Sequence, residues 1–544
     1  MYRISYDEML DKIHGCWYGK CLGGAAGAPV EGIKEIIQIE DFEKIFNPDL
    51  PNDDLDIQLL WLEVLETKGV NITSGNLADA WIEKCWYPFS EYGYFMKNYI
   101  RGITPPYSGI INNSFFKEGM GCPIRSEIWA IISAGNPQLA SQYAYIDGCL
   151  DHAENSVYAE QFLAAAQSIA FFENDIKTII ENAKEYIPND CRLHECISFV
   201  IDCYEKGIAF LETRKHVLAR YSHPDFTNVI QNMAFILIGL LYGSGDMRDT
   251  INITLKCGYD ADCTCASAAA LVGIIKGYNG IGKELTSLIN DYFVCGIDVK
   301  RPSDSIKGLA EDSARIALSV DNENITITDV PMKLKNIKKE KVNLNLIFPD
   351  EENLKKAYKK ISPTRWKVYG PFFSQPDWPI NPEFPSPHDE GCALPDIVCM
   401  VNNEVFIDKE YLNEKTLDFS EDDYVGTIDA YEDELPLSDA ISMQGQMGVY
   451  LKTEINSPVS QKAWLIVGNT DGFKMWVNGN EVLTRDEIRA YSPYNNFCLV
   501  ELNKGKNEFV LKLLRRADTM RFSLGIRKYN GNHWHRSPWL TDVY

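Results

Sequence analysis

The sequence predicts a multidomain protein, with an all-α N-terminal domain followed by a C-terminal β-sandwich. Three observations predict it. At 544 residues the chain exceeds one ordinary domain. Its N-terminal part carries apolar residues at helical spacing and no run of period two over a useful length. Past Trp366, short aromatic and β-branched runs are separated by Asn-Gly and Lys-Gly-Lys-Asn turns. The expected division is a helical domain over residues 1–318, a linker over 319–362 and a sandwich over 363–544.

The helical elements can be justified in order. GKCLGGAAGAPVEG (19–32) is rich in glycine and alanine, which allow close approach of a ligand or another helix; it stops at Pro29 and delivers Glu31 into a turn. DDLDIQLLWLEVLETKG (53–69) places Leu55, Leu59, Leu62 and Leu65 near helical spacing and ends at Gly69. EGMGCPIRSEIWAIISAGNP (118–137) is a glycine loop that could wrap a ligand, followed by a helix expected to carry Arg125. DGCLDHAEN (147–155) puts His152 at the start of the alanine-rich helix 153–172. FTNVIQNMAFILIGLLYGSG (226–245) is apolar all round, as a central helix is. CGYDADCTCASAAALVGIIKG (257–277) supplies a small-residue helix with two aspartates at its mouth.

After these, NENITITDVPMKLKNIKKEKVNLNLIF (322–348) mixes β-branched residues with lysines, as a connector with a strand or two would. WKVYGPFF (366–373) begins the strands and precedes the proline-rich stretch 375–391. In FKMWVNG, Phe473, Met475 and Val477 alternate with Lys474, Trp476 and Asn478.

Composition excludes several functions. With 53 basic against 77 acidic residues the net charge is −24, which disfavours nucleic acid and anionic membrane surfaces as partners. The longest apolar run, residues 233–242, is about half the roughly 20 residues a membrane span needs. The 15 cysteines are odd in number and follow no metal-finger spacing, so free thiols in a reducing cytoplasm are expected. The first residues, MYRISYDEMLDKIHG, have no secretory pattern.

Two carboxylate clusters stand out: Asp53 and Asp54 opening one helix, with Asp56 just beyond, and Asp260 and Asp262 opening another. Acids at helix starts are explained by capping and by the helix dipole. Both clusters, however, adjoin strongly apolar helices and so lie near the core. Buried carboxylates are costly unless they are paired or bind a metal, and oxygen clusters suit hard divalent cations. Taken singly, Gly119 and Gly121 read as a turn, Arg125 as a solvated charge and His152 as structural; the same residues also suit ligand contact.

In this order the pieces resemble the ADP-ribosylglycohydrolase family, the group that includes the dinitrogenase-reductase-activating glycohydrolase. GGAAGAPVEG matches its first helix and glutamate, and Asn52-Asp53-Asp54 its Thr-Asp-Asp motif. GMGCPIRS matches its glycine segment, His152 its helix-leading histidine, and Gly258-Tyr259-Asp260-Ala261-Asp262-Cys263 its Gly-Gly-Asp-x-Asp-Thr. The resemblance covers residues 8–300. It implies an all-α fold around one or two divalent ions, Mg²⁺ or Mn²⁺. It implies Asn52, Asp53, Asp54, Asp260, Asp262 and Cys263 as metal ligands, and Glu31 and Asp54 as catalytic residues. It implies Gly119, Gly121, Arg125, His152 and Tyr259 as substrate-binding residues. Asn52 and Cys263 stand where the family has threonine, and Tyr259 where it has glycine. A thiol suits Mg²⁺ poorly, so the second metal position is either missing or tuned to Mn²⁺, and Tyr259 narrows or reshapes the pocket.

The reaction implied is metal-dependent hydrolysis of an ADP-ribosyl bond to ribose. A glycosidase or nucleosidase on another sugar compound is the alternative, and a non-catalytic ADP-ribose or sugar reader a further one. The Asp-rich helix of prenyl-diphosphate enzymes fits poorly, because Asp260 and Asp262 precede their helix. The C-terminal part resembles the jelly-roll accessory domains of carbohydrate-active enzymes, which bind sugars, cap the catalytic domain or build oligomers. The expected location is the cytoplasm.

Overall fold

The computed structural model describes residues 1–49, 51–372, 412, 419–441, 447–517, 519–531 and 533–541. The proline-rich stretch 375–391 lies outside the described residues. The chain divides into two compact units, Met1–Leu354 and Lys355–Tyr544.

The first unit is helical around one continuous apolar core. Its axis is a pair of antiparallel helices, α1 (Tyr6–Gly27) and the helix Ala261–Lys276. The sequence dictates how close they come. Gly15, Gly19, Gly23 and Gly27 recur every fourth residue and so form one ridge of α1. A Cβ on Gly19, Gly23 or Gly27 would sit 2.2 Å from the carbonyl oxygen of Ala269, Cys265 or Ala261, respectively. The backbones are therefore in direct contact, and only glycine fits. Because the helices run antiparallel, the C-terminal end of α1, with Glu31 just beyond, lies beside Asp260 and Asp262.

The apolar helix Val229–Gly243 is buried along almost its entire length. The second aspartate helix, α2 (Asp53–Lys68), is capped by Asn52 and stops at Gly69, whose φ of 82° suits glycine. β1 (Tyr2–Ser5) pairs in parallel with β2 (Ile325–Thr328), from Tyr2 opposite Ile325 to Ser5 opposite Thr328. The chain up to Leu354, including residues expected in the linker, therefore belongs to the first unit. The β-branched run ITIT completes a sheet with the chain's first residues. Among the described residues no helix is long and apolar enough to cross a membrane.

The second unit is built of antiparallel strands: β3 (Thr364–Phe372), β4 (Tyr424–Ala430), β5 (Met447–Ser457), β6 (Gln461–Asn469), β7 (Phe473–Val477), β8 (Asn480–Arg485), β9 (Asn496–Leu502), β10 (Gly505–Arg515) and β11 (Phe522–Lys528). Six of them form one sheet in the order β4-β3-β5-β10-β7-β8 and three form another in the order β11-β6-β9. Side chains from both sheets share an apolar core that includes Val449, Leu465, Phe473, Met475, Leu511 and Phe522. The expected alternation in β7 puts Phe473, Met475 and Val477 in that core. Trp476 points the other way, into a second buried group with Tyr369, Tyr450 and Val510. The larger sheet is thus covered on both faces over β3, β5, β7 and β10.

Candidate active site

The turn carrying Glu31 and the loop carrying Asp260 are stitched together. The Gly32 N–H donates to the Tyr259 carbonyl at 2.8 Å, and the Tyr259 N–H donates to the Ile33 carbonyl at 2.7 Å. Gly258, with φ of 68°, packs so tightly that a Cβ would lie 2.5 Å from the carbonyls of Ile33 and Glu35. Arg214 ties the same two loops from behind: Nε donates to the Cys257 carbonyl at 2.8 Å and Nη2 to the Lys34 carbonyl at 2.9 Å.

The two aspartate helices begin differently. At α2 the cap is Asn52, whose Oδ1 accepts the Asp54 N–H at 2.8 Å, which leaves Asp53 and Asp54 in the first turn. Asp260 holds the cap position of the Ala261–Lys276 helix, but its side chain makes no capping bond. Its own N–H donates to Asn232 Oδ1 at 3.3 Å. Capping therefore does not account for Asp260.

These carboxylates converge. Glu31, Asp260 and Asp262 each bring an oxygen within 4.8 Å of the others, and so do Asp54, Asp262 and the Cys263 sulfur. Asp53 lies outside both groups; its Oδ2 accepts the Tyr92 hydroxyl at 3.1 Å. Asp54, Asp260 and Asp262 are buried, whereas Glu31 is exposed at the edge. Both oxygens of Asp54 and Oδ1 of Asp262 are shielded from solvent and make no hydrogen bond of good geometry. Although Glu31 is exposed as a residue, its carboxyl faces the cluster, and loss of water there, then the neighbouring acids, pushes its pKa and that of Asp262 up to about 7. Burial likewise raises Asp54 and Asp260 far above the ordinary carboxylate range. Buried acceptors without donors, on hard oxygen atoms, fit a divalent cation. Burial also pushes the Cys263 thiol up, so in the metal-free protein it is a neutral, soft neighbour.

A model of the ADP-ribosylglycohydrolase family matches residues 5–322. The chain belongs to that family. Comparison with curated proteins gives no match. Among solved structures, an ADP-ribosylglycohydrolase-related protein complex is 18% identical, with a TM-score of 0.41 over 57% of this chain and 99% of that one. A GH31 α-xylosidase from Xanthomonas citri is 17% identical, with a TM-score of 0.17 over 22% of this chain and 14% of that one. A family 35 carbohydrate binding module from Clostridium thermocellum is 19% identical, with a TM-score of 0.12 over 18% of this chain and 75% of that one. The family is hydrolytic, and membership supports glycosyl hydrolase activity in the broad sense.

The residues expected as substrate contacts, Gly119, Gly121, Arg125, His152 and Tyr259, are all buried. Arg125 is fully buried, not solvated. Its Nη1 and Nη2 grip Asp151 at 2.8 and 2.9 Å, Nη2 pairs with Asp147 at 2.9 Å, and its guanidinium lies 5.3 Å from the Trp81 ring. Both terminal nitrogens are thus engaged by acids in the interior, while Nε makes no hydrogen bond. His152 is buried too, with Nδ1 2.7 Å from Asp151 and Nε2 3.4 Å from Glu91. Gly119 and Gly121 accommodate Glu91: a Cβ on Gly121 would collide with Glu91 and Tyr92. The Tyr259 backbone has φ of 64°, which turns its ring onto Phe235 at 5.5 Å and toward Arg214 at 5.8 Å. It packs against these groups and is almost fully buried.

Sequence reasoning missed Lys20, Glu91, Tyr92 and Arg214. Lys20 alone left a trace, as the one charge in GCWYGKCLGGAAG. It is buried, with Nζ 3.3 Å from Glu127 Oε1 and 3.7 Å from Asp54 Oδ2. Glu127 also accepts from Gln58 at 2.8 Å and from Gln167 at 3.0 Å. Burial disfavours the Lys20 charge, but Asp54 and Glu127 outweigh it and raise its pKa above the ordinary lysine value.

Proposed function

We propose that the protein hydrolyses an ADP-ribosyl bond with the help of a divalent cation, Mg²⁺ or Mn²⁺, as the dinitrogenase-reductase-activating type does. The observation that carries this is the convergence of Glu31, Asp54, Asp260 and Asp262, among which Asp54 and Asp262 have buried oxygens without a hydrogen bond of good geometry. Those aspartates, with Asp53, Asn52 and Cys263 around them, would hold one or two ions. When bound, the ion supplies positive charge that polarises a hydroxyl or a water.

The chain's own residues do the remainder. Cleavage at a ribosyl carbon passes through an oxocarbenium-like transition state, so negative charge beside the ring is favourable. Glu31, at the open edge with a pKa near neutrality, takes a proton from the attacking water or gives one to the leaving group. The Tyr92 hydroxyl fixes Asp53, and the packed loops 31–35 and 257–260 keep Glu31 facing Asp260 and Asp262. His152 holds Glu91, Arg125 holds the Asp151 that pairs with His152, and Gly119 and Gly121 leave room for Glu91. The second unit serves as a jelly-roll accessory domain that binds a sugar or joins copies of the chain, and the enzyme works in the cytoplasm.

A second reading keeps the site and changes the substrate to a nucleoside or another glycoside. The thiol of Cys263 among the ligands favours it. The test is a metal-stripped protein with Mn²⁺ or Mg²⁺ restored, assayed on ADP-ribosylated arginine and serine peptides, nucleosides and aryl glycosides. Metal-dependent release of ADP-ribose, lost in Glu31→Gln, is expected. Full activity of Glu31→Gln would overturn the reading, and cleavage confined to nucleosides or aryl glycosides selects the second.

A further inference from the structure

Lys20 lies behind the carboxylate cluster. It sits on the glycine ridge helix, where Gly19 and Gly23 press α1 onto the Ala261–Lys276 helix, so its position is set by backbone contact. Glu127 anchors its ammonium at 3.3 Å, and Glu127 is itself fixed by Gln58 and Gln167. The ammonium then faces Asp54 Oδ2 at 3.7 Å, a distance of charge attraction rather than of a full hydrogen bond. Asp54 has no hydrogen-bond donor of good geometry, so Lys20 is the cation that neighbours it among the described residues.

We propose that Lys20 is a positioning residue that acts as a built-in counter-charge, holding Asp54 in place in the metal-free protein and weakening the cluster's grip on a divalent cation. The proposal rests on the metal reading given above. Its physical basis is Coulombic: a fixed positive charge near a ligand carboxylate repels a second cation bound by that carboxylate, and in a buried site the repulsion is little screened. Glu127 enters with the opposite sign. Its negative charge offsets part of the Lys20 field, so neutralising it leaves the ammonium free to act on Asp54 alone.

The two substitutions therefore move metal affinity in opposite directions. The experiment is calorimetric titration of Mn²⁺ into the metal-stripped full-length chain, with circular dichroism confirming the fold. Lys20→Met is expected to bind Mn²⁺ at least tenfold more tightly than the unaltered chain, and Glu127→Gln at least threefold more weakly. A loss of shape weakens binding in both variants, so a tightening in Lys20→Met cannot come from disorder. Unchanged or weaker binding in a folded Lys20→Met overturns the proposal. If Lys20→Met does not fold, unchanged or tighter binding in Glu127→Gln overturns it instead. If the unaltered chain takes up no Mn²⁺, the metal reading falls and this proposal with it; uptake without the opposed shifts sinks the proposal alone.

Discussion

Asp151 and Asp262 are both buried aspartates of the helical unit, and their surroundings differ in one respect: nearby cations. Asp151 has the Arg125 guanidinium at 2.8 Å and the His152 ring at 2.7 Å. Although burial opposes its charge, those partners hold its carboxyl well below the usual range. Asp262 has Asp54, Asp260 and Glu31 instead, and its pKa is raised to about 7. Asp151 has two cationic groups against its carboxyl, whereas the groups nearest Asp262 are other acids and a thiol. Acid-rich burial is thus no sign of function by itself; the sign is acid-rich burial that the protein leaves unpaired.

The largest effect should come from the paired cluster. Arg125→Met leaves Asp147 buried without its cation and Asp151 with His152 alone, and should cost about 3–5 kcal/mol of stability. Denaturant unfolding measures it, and a loss under about 1 kcal/mol would show that the pairing is not what holds that region. Asp262→Asn should act in the opposite way. It removes an unpaired charge, so the metal-free protein should become more stable, while hydrolysis should fall at least about a hundredfold, roughly 2.7 kcal/mol in barrier. Equal losses of stability in the two variants would erase the distinction between the clusters.

The pH dependence separates them next. Asp262 titrates higher in the folded than in the unfolded chain, so the folded metal-free protein binds the extra proton. Its stability should therefore rise as pH falls from about 7 toward about 4, on the order of 2 kcal/mol. Asp151 has the reverse sign: its contribution is present above about 4 and is lost only as pH falls further, through its lowered folded value. Thermal melts of the metal-stripped chain across that range check both, and saturating Mn²⁺ should flatten the first slope. The smallest effect belongs to Cys263→Thr. Replacing a soft thiol beside Asp54 and Asp262 by a hard hydroxyl should strengthen Mg²⁺ binding by about threefold to tenfold, at most about 1.4 kcal/mol. A weakened Mg²⁺ titration would exclude Cys263 from the metal's neighbourhood.

Much of the candidate site was legible in the sequence because its parts are local. Asn52-Asp53-Asp54 and Asp260-Ala261-Asp262 each announce themselves at the start of an apolar helix, and Pro29 stops the helix that delivers Glu31. Arg125 was legible as a residue but not in its role, because its partners Asp147 and Asp151 lie 22 and 26 positions further along. Tyr259 suggested a pocket residue; its packing on Phe235 and beside Arg214 could not be read locally, because both partners are distant in sequence. Glu91 carries no local signal at all.

The sequence by itself determined the helical and β halves, the glycine ridge and the identities of the clustered acids, because periodicity, turn chemistry and helix starts are properties of neighbouring residues. Only the tertiary structure decided which acids are paired and which are left bare. Charge balance in a buried site depends on groups brought together from distant parts of the chain, as Lys20 and Glu127 are, and on how far burial has removed the water that would otherwise screen them.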